Sequence, residues 1–192
     1  MPMVLTTLLS LAALLQAGAW QATSPLVRIE TGDAAITVRN TGPGSADLWR
    51  PGVAPVATPY TVSATFRKLS GRRHEGYGIL FGGRALGTDS ARYAYVLVRG
   101  DGALLIKQRT GAETPVVRDW APAAAIRADD ARNRAENRLE VRVGTQEVTV
   151  IVNGAVVASV PAAGLHTEGV AGLRLSHTLG LEVQGFGVVP TR

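Results

Sequence analysis

The chain has 192 residues, of which 46% are hydrophobic, 18% charged and 5% aromatic, so it can bury a core and its composition excludes a disordered protein. It contains no cysteine, which excludes disulfides, thiolate nucleophiles and cysteine metal sites. The net charge of +5 is unevenly distributed, because residues 60–110 contain nine basic and only three acidic residues.

Residues 1–22 have the features of a secretory signal peptide. Residues 4–15 form an apolar run that is short for a membrane span, and Ala17-Gly18-Ala19 matches an A-x-A cleavage site. We therefore expect a mature chain that begins near Trp20, a periplasmic or secreted location, and no stable membrane anchor after cleavage. An uncleaved anchor or a buried helix is the alternative. Residues 23–192 are then expected to form a single domain.

The next segment alternates between short strand patterns and a long irregular region. Residues 26–29 and 35–38 are predicted as strands, and residues 40–59, which contain four prolines, as an irregular loop. Trp49 lies within this loop. It is either an anchor for the loop or an exposed platform on which a ligand can stack.

Strand patterns become dense from Tyr60 onward. Alternating apolar residues, glycine-bounded apolar runs and a Gly-Asp-Gly turn predict strands at 60–66, 77–83, 92–98 and 103–109. Residues 110–122 are polar and turn-rich. Residues 123–136 have no apolar stripe, so they predict a loop with one helical turn rather than a long helix.

Residues 137–161 give the clearest prediction, an antiparallel meander of three strands. Apolar residues alternate with polar ones on both sides of Gly144-Thr145-Gln146, and Asn153-Gly154 is the dipeptide that type I′ hairpin turns prefer. Pro161 ends the third strand because it has no N–H to donate. Two closing strands are predicted at 169–175 and 181–189. Many short strands with almost no helix predict an all-β protein, a two-layer antiparallel β-sandwich.

Several motifs of these strands resemble the concanavalin A-like lectin/glucanase superfamily, the jelly-roll group that includes laminin G-like and keto-disaccharide hydrolase-like domains. The resemblance lies in residues 77–81, 93–98, 137–141, 152–154, 169–173 and 183–188. It implies a jelly roll with one concave sheet that holds saccharide, and so an exported carbohydrate-binding protein. The E-x-D-x-x-E strand of the laminarinase-like enzymes is missing, so no catalytic residue is carried over.

Basic and aromatic residues in the central third of the chain are the candidate ligand contacts. Arginine binds carboxylate or sulfate oxygens with two parallel hydrogen bonds, which predicts an acidic polysaccharide as partner, whereas export argues against nucleic acid. Tyr93 and Tyr95 share one strand face and can form a stacking shelf, or they can be core residues. A solubilising surface is the alternative for the arginines. The candidates are Arg72, Arg73, Arg84, Arg92, Tyr77, Tyr93 and Tyr95.

Two further hypotheses compete with simple carbohydrate binding. A glycoside or keto-sugar hydrolase or lyase of the same fold would use Glu75 and His74 for acid/base chemistry, although a solvated loop is the simpler interpretation of both. A structural or interaction module of the cell envelope is the other hypothesis. No cofactor and no histidine metal site are expected. Structural calcium at Asp89 or at Asp129-Asp130 is possible, but a solvated loop is preferred for these acids as well.

Overall fold

The computed structural model describes residues 19–191, which form fourteen strands joined by turns and loops. The strands are β1 (Gln21–Ala22), β2 (Val27–Thr31), β3 (Ala35–Asn40), β4 (Ala46–Trp49), β5 (Tyr60–Ser70), β6 (Gly76–Arg84), β7 (Arg92–Arg99), β8 (Ala103–Thr110), β9 (Val116–Pro122), β10 (Glu136–Val143), β11 (Glu147–Val152), β12 (Ala155–Pro161), β13 (Val170–Leu175) and β14 (Gly180–Pro190). Apart from residues 19–22, the predicted signal peptide lies outside the described residues. Within residues 19–191 no helix is long and apolar enough to cross a membrane.

The strands form two antiparallel sheets of seven strands each. Sheet A has the order β1-β4-β13-β6-β7-β8-β9, and sheet B has the order β12-β11-β10-β5-β14-β3-β2. Each sheet has an apolar inner face, and burying the two inner faces against each other produces a two-layer sandwich. The prediction of an all-β, two-layer antiparallel jelly-roll sandwich is therefore confirmed.

The core follows from the period of two along the strands. On β5 the residues Tyr60, Val62, Ala64 and Phe66 are buried between the sheets, while the residues between them are partly exposed. On β7 the residues Ala94, Val96 and Val98 pack against the same core from sheet A. Burial of each valine or phenylalanine side chain among them contributes roughly 1.5–3 kcal/mol.

The meander over β10, β11 and β12 is confirmed in detail. Strands β10 and β11 pair in antiparallel register, as do β11 and β12. Asn153 and Gly154 have φ angles of 51° and 87°, the positive values that a type I′ turn requires. The Asn153 side chain also accepts a hydrogen bond from Arg138 N (2.9 Å), which ties the turn to β10.

Two segments predicted as irregular contain strands. Strand β4 lies within residues 40–59 and pairs with β1 and β13, and β9 lies within residues 110–122 and pairs with β8. Strand β4 has four residues, too few for a recognisable alternation, and β9 is an edge strand that pairs on one side only. Residues 123–135 form a loop, as predicted, but it contains turns and no helical turn, and Ile126 anchors it in the core.

One acid predicted to be solvated is instead buried. The Asp129 side chain is fully buried and forms an ion pair with Lys68 Nζ, which also donates to the carbonyl oxygen of Arg72 (2.8 Å). A buried charge needs a partner of opposite sign, and Lys68 provides it from the core face of β5. The solvated-loop prediction for Asp129 is therefore wrong.

Candidate functional site

Arg84 and Arg92 lie side by side at one end of sheet A. They are direct partners across β6 and β7, and Arg92 is in turn the partner of Thr110 across β7 and β8. The loop before β13 folds over this end, where His166 Nε2 lies 2.8 Å from Thr110 Oγ1. Three strands and one loop thus bring two arginines and one histidine together.

A polar pocket of about 230 Å³, which we call the arginine pocket, lies at this end of the sheet and includes Arg84 and His166 but not Arg92. It is lined by Gly82, Arg84, Leu165, His166, Thr167 and Glu168. Gly82 has a φ of 63°, and a Cβ atom there would lie 2.0 Å from the carbonyl oxygen of His166. Only glycine therefore lets the loop approach β6 this closely.

The loop is fixed from both sheets. Tyr60 OH, on β5, donates a hydrogen bond of 2.6 Å to the carbonyl oxygen of Thr167, and burial raises the pKa of this tyrosine. Arg84 Nε donates to the carbonyl oxygen of Glu168 (3.1 Å), and the charged groups of the two side chains lie 3.5 Å apart. The Arg84–Glu168 pair is largely exposed, so it leaves Arg84 available to a ligand.

The charges at this end act on His166. Burial lowers the pKa of His166, and the nearby positive charges of Arg92 and Arg84 lower it further. The imidazole is therefore neutral at pH 7. An anion bound among these three side chains would raise the pKa of His166 again.

The two candidate tyrosines of β7 lie on the outer face of sheet A. The rings of Tyr93 and Tyr95 are 5.8 Å apart and belong to an apolar cluster separate from the main core. Both are nearly inaccessible to solvent, with 0% and 3% of their surface exposed. Arg174 from β13 covers them, because its guanidinium carbon lies 4.7 Å from the centre of the Tyr95 ring.

A charged network that sequence reasoning missed holds Arg174 in place. Arg174 forms an ion pair with Asp47 on β4 and donates to Tyr93 OH (2.9 Å), which itself donates to Asp47 Oδ2 (2.6 Å). Burial alone would lower the pKa of Arg174, but the Asp47 carboxylate raises it above its usual value. Arg174 alternates with the buried Leu173 and Leu175, a signal that could have placed it on the outer face.

The other candidates lie elsewhere. Arg72 and Arg73 precede β6, whereas Arg84 ends it, so about 25 Å of strand separates the two arginine groups. Tyr77 is fully buried between the sheets, where burial raises its pKa to about 12. The structure therefore pairs Arg84 with Arg92 and Tyr93 with Tyr95, and it separates the Arg84–Arg92 pair from Arg72 and Arg73.

The proposed acid/base pair lies at the Arg72 end. Glu75 is 2% exposed, so the prediction that it lies in a solvated loop is wrong. Its Oε1 atom is 2.8 Å from His177 Nε2 and 3.2 Å from His74 Nε2; His74 is exposed and His177 is partly exposed. Among residues 19–191 no group of three or more His, Cys, Asp or Glu side chains is arranged to hold a metal ion.

Solved structures share this fold at low sequence identity. A carbohydrate binding module, CBM66, from Bacillus subtilis is similar with a TM-score of 0.68 and 10% identity, over 91% of this chain and 97% of that chain. A Bacillus subtilis protein of unknown function with a galectin-like fold has a TM-score of 0.65 and 13% identity, over 90% of each chain. The potassium-bound carbohydrate recognition domain of Emp46p has a TM-score of 0.62 and 10% identity, over 90% of this chain and 89% of that chain.

Sequence comparison adds no closer relative. Neither a protein-family profile nor a curated protein matches the chain. At identities of 10–13% the structural likeness establishes the fold alone. The chain is thus a jelly-roll sandwich of the kind seen in carbohydrate-binding modules and lectin-like recognition domains.

Proposed function

We propose that the protein is an exported carbohydrate-binding module that holds an acidic saccharide in the arginine pocket. The observation that carries the proposal is a polar pocket at the end of the sandwich that Arg84 and His166 line. Arg92 is the cross-strand partner of Arg84, and its charge helps to lower the pKa of His166. The solved structures with this fold include a carbohydrate binding module and a carbohydrate recognition domain, which supports saccharide as the ligand class.

The chemistry of the pocket favours an acidic sugar over a neutral one. Arg84 and Arg92 are both exposed, and guanidinium groups bind carboxylate or sulfate oxygens through two parallel hydrogen bonds. Glu168 and backbone carbonyl groups at the same pocket can accept hydrogen bonds from sugar hydroxyls. A saccharide that carries one acidic group among several hydroxyls matches this mixture of donors and acceptors.

Export is proposed from the N-terminal pattern and is compatible with the fold. Trp20 packs edge-on against Phe186, with ring centres 5.1 Å apart, and Gln21 pairs with Trp49 of β4. Cleavage after Ala19 would therefore leave the first strand and its aromatic anchor in the mature protein. Mass spectrometry of the exported chain should show Trp20 as the first residue, and an intact N-terminus would contradict export with cleavage.

A glycan-array screen of the chain from Trp20 tests the binding proposal. Neutral, uronic-acid-containing and sulfated glycans should be compared at about 0.05 M and 0.5 M salt, because at the higher ionic strength the Debye length falls to a few Å. We expect binding of acidic glycans that weakens strongly in high salt. Equal binding of neutral glycans at both salt concentrations would contradict the proposal.

The same screen separates the competing hypotheses. Release of new reducing ends from a bound glycan would favour the hydrolase or lyase hypothesis and direct attention to the buried Glu75 with His74 and His177. Binding to no glycan at either salt concentration would overturn the proposal and leave an interaction module of the cell envelope as the better hypothesis.

A further inference from the structure

His166 shares the arginine pocket with one ion pair. The other charged side chains that line the pocket are Arg84 and Glu168, whose charged groups lie 3.5 Å apart. These two charges cancel, so the lining has no net charge while His166 is neutral. Protonation of His166 adds one positive charge. The charge that the pocket presents to an anion therefore depends on this one imidazole.

The groups around His166 come from four strands and from its own loop. They are Arg84 from β6, Arg92 from β7, Thr110 from β8, Tyr60 from β5, which holds Thr167, and Glu168 from the loop. The Tyr60 hydroxyl stays neutral, because burial raises its pKa. Glu168 is the one carboxylate among these groups, and it pairs with Arg84. None of them therefore supplies an unpaired negative charge that would stabilise the imidazolium in the free protein.

The contact with Thr110 is compatible with both protonation states of His166. Thr110 Oγ1 lies 2.8 Å from His166 Nε2, and a hydroxyl group can donate to the neutral nitrogen or accept from the protonated one. The second ring nitrogen, Nδ1, makes no hydrogen bond within residues 19–191 and is not fully buried, so a ligand can reach it. A proton can therefore be added without loss of the Thr110 contact. Nδ1–H is then a charged donor for a carboxylate or sulfate oxygen.

An anion at Arg84 and a proton at His166 favour each other. The pocket has a volume of only about 230 Å³, so an anion that Arg84 holds there also lies close to the imidazole. Its negative charge stabilises the imidazolium and raises the pKa of His166. Such coupling is reciprocal, so the proton increases the affinity for the anion by the same factor.

We propose that the protein takes up a proton at His166 when it binds an acidic saccharide, so that it binds more tightly in acidic surroundings and releases the saccharide as the pH rises. This inference rests on the proposed function and adds its regulation. The pKa of His166 is lowered in the free protein and higher in the complex. The affinity is therefore constant above the pKa of the complex, increases as the pH falls below it, and levels off below the pKa of the free protein.

Calorimetric titration of the chain from Trp20 with two anionic probes measures this coupling. Trigalacturonate and a sulfated carrageenan tetrasaccharide both stay ionised from about pH 5.5 to about pH 8, so only the protein titrates. At constant ionic strength we expect an affinity at least about fivefold higher at the lower pH than at the higher pH. Titrations at about pH 6.5 in two buffers with different ionisation enthalpies should show uptake of up to one proton per bound ligand.

Two variants of His166 separate its charge from its packing. His166→Gln cannot be protonated, so it should keep at every pH the weak affinity that the wild-type protein has at about pH 8, without proton uptake. His166→Lys has a fixed positive charge, so it should bind tightly at about pH 8 and lose most of the pH dependence. A purely structural role would weaken binding in both variants. Melting temperatures identify any loss caused by unfolding, and the buffer comparison tests the wild-type protein without a variant.

The outcomes distinguish this inference from the proposed function. Equal affinity at both pH values without proton uptake, together with loss of binding in Arg84→Ala, would overturn the proton coupling and leave acidic-saccharide binding intact. Equal pH dependence in His166→Gln and in the wild-type protein would overturn the assignment to His166. Absence of binding of both probes at every pH would contradict the binding proposal itself.

Discussion

At the scale of single residues, neighbours on β5 illustrate how burial decides the role of a charge. Arg67 lies on the exposed face and donates through Nε to Glu182 (3.1 Å), whereas Lys68 lies on the core face and pairs with Asp129. Both belong to the cluster of nine basic residues within residues 60–110. Neither is a free positive charge, so the cluster available to a ligand is smaller than the composition indicates.

The buried pair gives a prediction for stability. Lys68→Met leaves the Asp129 carboxylate buried without its counter-charge, which should lower the free energy of unfolding by about 3 to 5 kcal/mol. Arg67→Met is the matched control, because it removes an exposed pair and should have little effect. Urea unfolding measures both variants. Equal effects in the two would contradict the assigned role of Lys68.

His166 gives a prediction for pH dependence. Its pKa is lowered in the folded protein, so its contribution to stability is present above the ordinary histidine pKa of about 6.5 and is lost as pH falls through the lowered value. Acidification from pH 7 to about pH 5 should therefore destabilise the free protein more than the His166→Gln variant. An anionic sugar in the arginine pocket should reduce this difference. Thermal unfolding at the two pH values measures this effect. An equal loss of melting temperature in both proteins would contradict the role given to His166.

At the scale of elements, sequence patterns correctly predicted the strands and turns that depend only on residues close together in the chain. The meander and its turn follow from alternation and from Asn153-Gly154, and both were confirmed down to the positive φ angles. Strand β4 escaped prediction because its partners, β1 and β13, are distant in sequence and its own four residues have no clear period. Glu75 was mistaken for a solvated residue because its partner His177 is about one hundred residues away in the chain.

The turn between β11 and β12 gives a prediction at this scale. Gly154→Ala should lower the free energy of unfolding by about 1 to 2 kcal/mol, because an alanine at a φ of 87° is strained although no atom lies within 4 Å of the added methyl group. Gly44→Ala is the control. It also has open space around the added Cβ atom but no positive φ, so it should be neutral or slightly stabilising. If Gly44→Ala lowers the free energy of unfolding as much as Gly154→Ala does, the explanation by backbone strain is contradicted.

At the scale of the whole molecule, the sequence predicted a sandwich but could not place its site. Periodicity identifies which residues share a strand face, and this located Tyr93 and Tyr95 together. It does not give the order of strands in a sheet, so Arg174 and Asp47 on neighbouring strands were missed. It also grouped Arg72, Arg73, Arg84 and Arg92 as candidate ligand contacts, whereas the length of β6 divides these four arginines between two ends.

This division provides the most direct test of the central claim, that the arginine pocket binds an acidic saccharide. The double variant Arg84→Ala/Arg92→Ala and the double variant Arg72→Ala/Arg73→Ala lose the same charge at opposite ends of sheet A. Calorimetric titration of both with an acidic glycan selected by the array separates a local site from a general effect of net charge. We expect a loss of at least about tenfold for the first variant and a change within about twofold for the second. Equal losses in the two variants would contradict the account.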